Sequence, residues 1–242
     1  MIYIDARQGL SGDMLLAAML GLLDPRVRDD AVAGISGAAR GLGLGFRISS
    51  LDDGGEKGFG LSYPGSKDES HGRTYDDSYF LLEKINRDLN CRSDVSLRIL
   101  DEIFSAEAQA HELPVKDVHL HEVGRPVALL NICGIGLAAV RLQEAGAGDM
   151  ICSTIVTGKG ITVVSHGAVR VPAPAVRVLL KGLKHEPGSD PGERATPTGL
   201  AAIKVLARTQ SDIVPETYSR ASVGFGTKRF GGRLGRTVLY WA

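Results

Sequence analysis

Hydrophobic positions along the chain follow two spacings, one typical of strands and one typical of helices. Short apolar or β-branched runs predict strands at 2–4, 46–51, 221–225 and 237–241, and a pair of strands within 151–164. Longer apolar runs and stripes of helical period predict helices at 14–23, 127–142, 173–183 and 199–207, and two more within 75–111. The pattern predicts an α/β fold: a mixed sheet with flanking helices and an embedded helical hairpin.

Two regions bear on the domain organisation. Residues 52–72 contain so many Gly, Ser, Asp and Lys that they predict an exposed, mobile loop, which is the best candidate for an internal linker. Residues 75–146 are a candidate helical subdomain, because their apolar stripes predict helices that pack on one another. The sequence shows no internal repeat, so we treat residues 1–242 as one region.

Composition and charge narrow the class of protein. A chain of 242 residues with 43% hydrophobic residues can supply its own core. The 28 basic and 28 acidic residues balance, so no net field favours nucleic acid or an anionic membrane. The start of the chain does not resemble a signal peptide, and no run reaches about 18 uncharged apolar residues. We expect a soluble protein with no nucleic-acid or membrane partner, and a homo-oligomer is compatible with its apolar helices.

The cysteines indicate the compartment. Cys91, Cys133 and Cys152 form no CxxC pair, and their number is odd. Both features argue against a disulfide framework and fit the reducing cytoplasm. We therefore expect three small core residues rather than a disulfide or a thiol metal site.

The first candidate site lies where the first strand passes into the first helix. It contains Asp5, Gly9, Ser11, Gly12 and Asp13. Free N–H groups at a helix start attract anions, glycines allow a ligand to approach, and two carboxylates can hold a divalent ion. The alternative is structural: the serine caps the helix, Asp13 complements the helix dipole, and the glycines form the turn.

The second candidate site contains His119, His121 and Glu122, with His111 and Glu112 shortly before them. Residues two apart in an extended segment point to the same side, so His119 and His121 can reach one cation such as Ni²⁺. Glu122 or His111 would complete the ligand set. Alternatively, the histidine pair lies at the surface, or orients a phosphate or a general acid without holding metal.

Three further motifs carry weaker candidates. His166 lies in a predicted turn, where a histidine is either exposed or points into a cleft. Thr196 and Thr198 begin a predicted helix, where two hydroxyls can hold a phosphate or Thr196 can serve only as the N-cap. The Gly-rich basic turn at 224–229 either covers an anionic ligand or is a solvated hairpin.

Taken in order, five segments resemble a known family, the nickel-insertion proteins of the nickel-pincer nucleotide pathway, which serves lactate racemase and related enzymes. The segments are DARQGLSGDMLLAAML at 5–20, LPVKDVHLHEVG at 113–124, SHGAVRVPAPAVRVLLKG at 165–182, GERATPTGLAAIKVLA at 192–207 and SVGFGTKRFGGR near the end. Each segment is weak alone, but five in the family's order cover almost the whole chain. The resemblance is to the N-terminal region of the family.

The resemblance implies an activity. Members of the family use CTP with a divalent ion, Mg or Mn, to insert nickel into pyridinium-3,5-bisthiocarboxylic acid mononucleotide, a chelatase or cyclometallase-like lyase reaction. By motif, the resemblance covers Asp13, the turn from Gly9 to Gly12, the cluster of His119, His121 and Glu122, and His166, Thr196 and Thr198. From the chemistry of these side chains we expect catalysis by Asp13 and Glu122, nickel binding by His119, His121 and Glu122, and substrate contacts from Gly9, Ser11, Gly12, His166, Thr196 and Thr198.

This chain departs from the family pattern at several positions. Arg7 and Gln8 stand where family members usually have Phe-Ser, and Val127 and Asn131 align with two acidic residues. The full-length family also carries a C-terminal domain associated with CTP binding, which this sequence lacks. We expect a separate CTP-binding partner to supply that domain; the alternative is that the complete reaction does not occur here.

Two other functions fit the same residues. One is a diverged, non-enzymatic paralogue that binds metal or nucleotide without inserting nickel. The other is a Mg-dependent nucleotidyl or phosphoryl enzyme that uses Asp5, Asp13 and the Gly-rich turn. The paralogue would bind stoichiometrically without turnover, and the Mg-dependent enzyme would hydrolyse nucleotides without needing the histidines.

Overall fold

A computed structural model describes residues 1–66, 72–121, 123–164 and 167–242. The described strands are β1 (Ile2–Asp5), β2 (Arg47–Asp53), β3 (Glu56–Ser62), β4 (Met150–Cys152), β5 (Ile155–Val156), β6 (Gly158–Lys159), β7 (Ile161–Val164), β8 (Gly167–Arg170), β9 (His185–Glu186), β10 (Gly192–Glu193), β11 (Ala207–Gln210), β12 (Arg220–Phe230) and β13 (Arg233–Trp241). Seven of them form a mixed sheet in the order β11-β4-β1-β13-β12-β3-β2. Three short ribbons pair β5 with β9, β6 with β10 and β7 with β8.

The described helices are α1 (Gly12–Leu22), α2 (Pro25–Gly41), α3 (Tyr75–Asp88), α4 (Val95–His111), α5 (Pro126–Glu144), α6 (Pro174–Leu179) and α7 (Pro197–Leu206), with a 3₁₀ turn at Val115–Asp117. Helix α1 packs on the sheet, and α5 packs on α1. Helices α2, α3 and α4 contact α5, and α4 also contacts α6 and α7. The α/β fold with a mixed sheet and flanking helices is confirmed.

Helix α1 is buried on nearly all sides, as its apolar sequence predicts. Its close approach to the sheet depends on Gly224 of β12, where an added Cβ would lie 1.9 Å from the carbonyl oxygen of Met14. Its close approach to α5 depends on Gly134, where an added Cβ would lie 2.7 Å from Leu16. Small residues on both neighbours therefore fix the position of α1 and of its first turn.

By length and composition, helix α5 could cross a bilayer, although no such span was predicted. However, 67% of that apolar window is buried inside the protein, against α1, α2, α3 and α4. Core helices of soluble proteins share these properties, so packing inside the fold accounts for the apolar sequence of α5.

The predicted helical hairpin and the predicted core cysteines are both confirmed. Helices α3 and α4 pack on each other, whereas the Phe80 side chain of α3 is 68% exposed. Cys91, Cys133 and Cys152 are free and buried. Burial raises the pKa of the Cys152 thiol to about 12, and the nearby Asp5 and Asp212 carboxylates add to this effect. Such thiols stay protonated and unreactive at neutral pH.

The prediction of an exposed loop over 52–72 was wrong for residues 56–62, which form β3 between β2 and β12. Its glycines allow close packing rather than chain mobility. An added Cβ on Gly58 would lie 2.4 Å from the carbonyl oxygen of Val223, and one on Gly60 would lie 2.6 Å from Leu51. Residues 67–71 lie outside the described part of the chain.

Two other elements differ from the predictions. Helix α2, which contains Gly34, Gly37 and Gly41, was not among the predicted helices; it begins with Asp24 as N-cap and Pro25 in the first turn. The region 151–164 forms parts of four short strands, β4 to β7, rather than two. In both cases glycines within or between regular elements hid the underlying pattern.

Candidate functional site

The first turns of α1 and α7 lie side by side. The Leu10 N–H donates to the Arg194 carbonyl at 2.7 Å, and the Thr196 N–H donates to the Leu10 carbonyl at 2.9 Å. This short parallel bridge sets the two N-cap residues, Ser11 and Thr196, next to each other. Two helix N-termini, which carry partial positive charge, therefore begin in one place.

Both N-caps are made by side chains, but the capping hydrogen bonds are long. The Ser11 hydroxyl accepts from the Met14 N–H at 3.5 Å, and the Thr196 hydroxyl accepts from the Gly199 N–H at 3.4 Å. Protein N–H···O bonds usually measure about 2.7–3.2 Å. The Ser11 hydroxyl also donates to the Asp13 carboxylate. The structural capping roles are confirmed, and the first-turn N–H groups remain only weakly satisfied.

Gly9, Gly12 and Thr198, three residues of the predicted sites, lie close to the starts of α1 and α7. An added Cβ on Gly12 would lie 2.7 Å from the Thr198 methyl and 3.7 Å from Asn131 of α5, so only glycine lets these three residues meet. Gly9 has a φ of +140°, a conformation that favours glycine in the turn before α1. Its carbonyl accepts a hydrogen bond of 2.8 Å from Thr237 of β13.

A cavity of about 120 Å³ opens at these helix starts. It brings together three motifs that the sequence analysis treated separately, at 9–13, 192–199 and 224–229. Its lining residues are Ser11, Asp13, Met14, Glu193, Arg194, Thr196, Gly226, Thr227, Lys228, Phe230 and Gly235. We call it the helix-start cavity. Pockets for drug-sized ligands measure about 300–1,000 Å³, so this cavity fits one chemical group, such as a phosphate, rather than a whole nucleotide.

The two basic residues of the helix-start cavity, Arg194 and Lys228, differ in how strongly neighbouring residues hold them. The buried Arg194 guanidinium stacks 4.2 Å from the centre of the Phe230 ring and bonds to Asp190 at 2.5 Å. Lys228 is 59% exposed, and its ammonium lies 3.9 Å from the Glu193 carboxylate. Lys228 is therefore the more available cation at the cavity.

Asp5, the other carboxylate of the first predicted site, is held by Arg7. Its oxygens accept from the Arg7 backbone N–H at 3.0 Å and from the guanidinium at 2.9 and 2.5 Å. Asp13 instead lines the helix-start cavity. The two carboxylates thus have different surroundings, and these contacts do not favour the hypothesis of one divalent ion between them.

Tyr63 and Asn131 border the first turn of α1, and Tyr63 was not recognised as a candidate site residue. The Tyr63 hydroxyl donates to the Asn131 side-chain oxygen. Burial raises the pKa of Tyr63 well above its usual value, and the charge of Asp13 raises it further. The Tyr63 hydroxyl therefore stays protonated beside Asp13. Tyr63 was missed because it lies within the segment assigned to a loop.

Val127 lies at a different place from Asn131, although both stand where the family usually has acids. Val127 lines a cavity of about 190 Å³ together with Gly65, Ser66 and Arg125. Asn131, one turn further along α5, is buried beside Gly12. An acid at position 131 would therefore border the start of α1. An acid at position 127 would instead lie at the other cavity, beside Arg125.

The second predicted site is an extended segment paired with the residues before α3. The Arg73 N–H donates to the Leu120 carbonyl at 2.9 Å, and the Leu120 N–H donates to the Arg73 carbonyl at 2.8 Å. Leu120 is buried, as is Val118, whereas His119 is exposed and His121 half-buried. The alternation predicted for this segment is present.

Both imidazole-bearing residues approach Gly72. An added Cβ on Gly72 would lie 3.0 Å from the Cβ of His119 and 3.0 Å from the Cε1 of His121. The two histidines therefore lie on one side of the segment, as the extended pattern predicts. The Nδ1 of His119 also lies 3.3 Å from the Asp117 carbonyl oxygen.

The other predicted members of the second site stand apart or are not described. His111, at the end of α4, lies 3.5 Å from Glu107 on the same helix. Glu122 and His166 lie outside the described residues. Within the described ranges, no group of three or more His, Cys, Asp or Glu residues is placed to hold a metal ion. The described metal donors at this site are thus the two imidazoles.

The model of the Nickel insertion protein family matches residues 2–237. The chain belongs to this family. A pyridinium-3,5-bisthiocarboxylic acid mononucleotide nickel insertion protein of Staphylococcus saprophyticus is 31% identical over 95% of the chain and 56% of its own length. The protein of that name in a Nocardioides species is 31% identical over 93% of the chain and 55% of its own length.

The chain spans little more than half the length of these relatives. No solved structure matches it. In this Nickel insertion family member, the two predicted sites lie at the same end of α5. His121 comes five residues before α5 begins at Pro126, and Asn131 lies about 7.5 Å along the helix axis from Pro126. The histidine pair and the first turn of α1 therefore both lie near the start of α5.

Proposed function

We propose that this chain takes part in inserting nickel into pyridinium-3,5-bisthiocarboxylic acid mononucleotide, forming the nickel-pincer nucleotide used by enzymes such as lactate racemase. The observation that carries the proposal is the histidine pair: His119 and His121 lie on one side of an extended segment, facing Gly72, in a chain of the Nickel insertion family. Imidazoles bind Ni²⁺ readily, since affinity rises along the divalent series towards copper.

The two imidazoles serve as the first ligands of the incoming nickel ion, which is a substrate here. Glu122, next to His121 in sequence, completes the ligand set or accepts a proton. When nickel bonds to the ring carbon of the pyridinium, the C–H bond breaks and its proton must leave to a base. Glu122 and Asp13 are the carboxylates proposed for that role. The two thiocarboxylate sulfurs supply the remaining bonds to nickel.

The helix-start cavity receives the phosphate of the mononucleotide. Two helix N-termini with weakly satisfied N–H groups favour an anion, and Lys228 adds positive charge to a lining that also contains the carboxylates of Asp13 and Glu193. Ser11 and Thr196 line the cavity and contribute hydroxyls. Gly9, Gly12 and Thr198, next to these N-caps, are proposed as further substrate contacts. The size of the cavity suits one phosphate, so the rest of the mononucleotide lies outside it. His166 is proposed as a further substrate contact.

CTP with Mg or Mn drives the reaction in this proposal, bound by a separate CTP-binding protein or domain. The protein acts in the cytoplasm, where reduced cysteines and a nucleotide supply are available. A homo-oligomer is one arrangement in which the protein could carry out this function. In this proposal, activity requires that CTP-binding part.

The test is an insertion assay. The purified chain, Ni²⁺, the bisthiocarboxylate mononucleotide, CTP and a CTP-binding partner from a relative are incubated, and the metallated product is measured by mass spectrometry. We expect product with the wild type and none with the His119→Ala, His121→Ala double variant, at unchanged melting temperature. Equal product from the double variant would contradict the proposal.

Binding of nickel or nucleotide without turnover, even with the partner present, would instead support the non-enzymatic paralogue. Hydrolysis of nucleotides that survives the double variant would support the Mg-dependent enzyme. The lysine variant Lys228→Ala tests the cavity separately, because it should weaken mononucleotide binding while leaving nickel binding intact.

A further inference from the structure

Gly72 is the residue against which both proposed nickel ligands pack. We infer that Gly72 is a positioning residue for nickel: its missing side chain keeps open the space in which the imidazoles of His119 and His121 converge on the ion. This inference rests on the proposed function, because it concerns the same histidine pair. It adds the requirement that position 72 carry no side chain.

The backbone pairing sets Gly72 in this position. Arg73 and Leu120 exchange two hydrogen bonds of 2.9 and 2.8 Å in an antiparallel bridge. In antiparallel register, Gly72 then lies opposite His121, and Thr74 lies opposite His119. Side chains of directly opposed residues point to the same side of a strand pair. A side chain at position 72 would therefore enter the space in front of His121.

The distances show how little room exists there. An alanine Cβ at position 72 would lie 3.0 Å from both the His119 Cβ and the His121 Cε1, and 3.2 Å from the His121 Nδ1. Ordinary van der Waals contact begins at 3.4 Å. Since the His119 Cβ is fixed to the backbone, the His121 ring is the group that moves. A functional site tolerates a displacement of only about 0.5 Å.

Backbone conformation does not explain the glycine. Many other glycines in the described chain have a positive φ, including Gly43, Gly54 and Gly65, but Gly72 does not. An alanine can therefore adopt the backbone conformation of residue 72 without strain. The need for glycine at this position comes from the space beside the imidazoles, which separates a role in positioning from a role in chain geometry.

The experiment compares nickel binding by the wild type, Gly72→Ala, Gly72→Val and Gly148→Ala. Gly148 is the matched control, because it is exposed, has no positive φ, and an added Cβ there would meet nothing closer than 3.9 Å. Affinity is measured by calorimetry with Ni²⁺ alone. The ligand field is measured by the visible spectrum of bound Co²⁺, and folding by the melting temperature.

We expect Gly72→Ala to weaken nickel affinity about tenfold and Gly72→Val up to about a hundredfold, the range typical of changes to groups that orient metal ligands. The Co²⁺ spectrum should shift for both, while Gly148→Ala matches the wild type. Unchanged affinity and an unchanged spectrum in Gly72→Val would overturn the inference. Nickel binding that persists in the His119→Ala, His121→Ala double variant would instead overturn the proposed function. If Gly72→Val does not fold, Gly72→Ala alone decides.

Discussion

The helix-start cavity and the histidine segment are built in opposite ways. The cavity is assembled from parts distant in sequence, with Ser11, Thr196 and Lys228 brought together by close packing of α1, α7 and β12. The histidine segment is local: Leu120 pairs through two backbone hydrogen bonds with Arg73, near the surface. The cavity should therefore depend on the global fold, whereas the histidine segment should tolerate changes elsewhere.

The same difference suits the two proposed tasks. A phosphate has a fixed shape and is negatively charged at neutral pH, so a rigid cavity at two helix N-termini can bind it without rearrangement. Nickel must enter and then leave on the product, so its temporary ligands belong near the surface. Exposed His119 and half-buried His121 meet that need.

The largest expected effect is a loss of stability in a variant that disturbs the packing of α1, on which the cavity depends. In Gly224→Ala the new Cβ would lie 1.9 Å from the Met14 carbonyl oxygen and 2.7 Å from the Ala18 nitrogen, so α1 must move off the sheet. We expect a loss of about 3 kcal/mol or more in the free energy of unfolding. Urea denaturation measures it.

The control for that variant is Gly37→Ala in α2. An added Cβ there meets only the Arg40 side chain, at 3.8 Å. Because alanine is favoured over glycine inside a helix, the control should be stabilised by about 0.5–1 kcal/mol. Equal stability of Gly224→Ala and the control would contradict the close packing described for α1.

The next effect separates packing from binding at Thr198. Thr198→Val keeps the methyl group beside Gly12 and removes the hydroxyl. If the hydroxyl contacts the substrate phosphate, mononucleotide affinity should fall by about 1.5 kcal/mol, or roughly tenfold, the lower bound for a hydrogen bond to a charged group. Nickel affinity should not change. Titration calorimetry with each ligand checks both statements, and unchanged mononucleotide affinity would restrict Thr198 to packing.

A smaller effect is expected when the N-cap of α1 is removed. Ser11→Ala should cost about 0.5–1 kcal/mol of stability, at the low end for N-caps because the capping bond is 3.5 Å long. The variant should also weaken mononucleotide binding. A stability loss above 2 kcal/mol in thermal denaturation would show that the serine does more than this weak cap.

The smallest effect concerns pH and the hairpin that carries Lys228. Hydrogen bonds from the Leu234 N–H and from Arg233 and Arg229 lower the pKa of Asp53 to about 2, from about 3.9 in an unfolded chain. Because the folded pKa is the lower one, Asp53 stabilises the fold above about pH 4, and this contribution is lost as the pH falls towards 2.

The variant Asp53→Asn should therefore be less stable than the wild type at pH 7, and the two proteins should approach each other in stability between pH 4 and pH 2. Denaturant unfolding at a series of pH values measures this difference. A constant difference across that range would contradict the assigned ionisation of Asp53.

Local patterns made much of the fold predictable. The apolar runs of α1 and α5 predicted two buried helices, and the alternation from Val118 to His121 predicted two histidines on one side. These features depend on neighbours within a few residues. Thr196 followed by Pro197 likewise predicted the start of α7.

Long-range packing set the limit. Gly58 and Gly60 of β3 pack against Val223 and Leu51, so a composition typical of loops belongs to a central strand. Tyr63, just after that strand, was consequently missed beside Asp13. The cavity also required knowing that three separate motifs meet, which no single window of sequence contains. The assignments of Glu122 and His166 stay predictions.

The most direct test of the central claim is titration of Ni²⁺ into the purified chain at neutral pH by calorimetry, comparing the wild type with the His119→Ala, His121→Ala variant. We expect specific nickel binding by the wild type, its loss in the variant, and unchanged affinity of both proteins for the mononucleotide. Nickel affinity that is the same in both proteins would contradict the assignment of these histidines as the site that receives nickel.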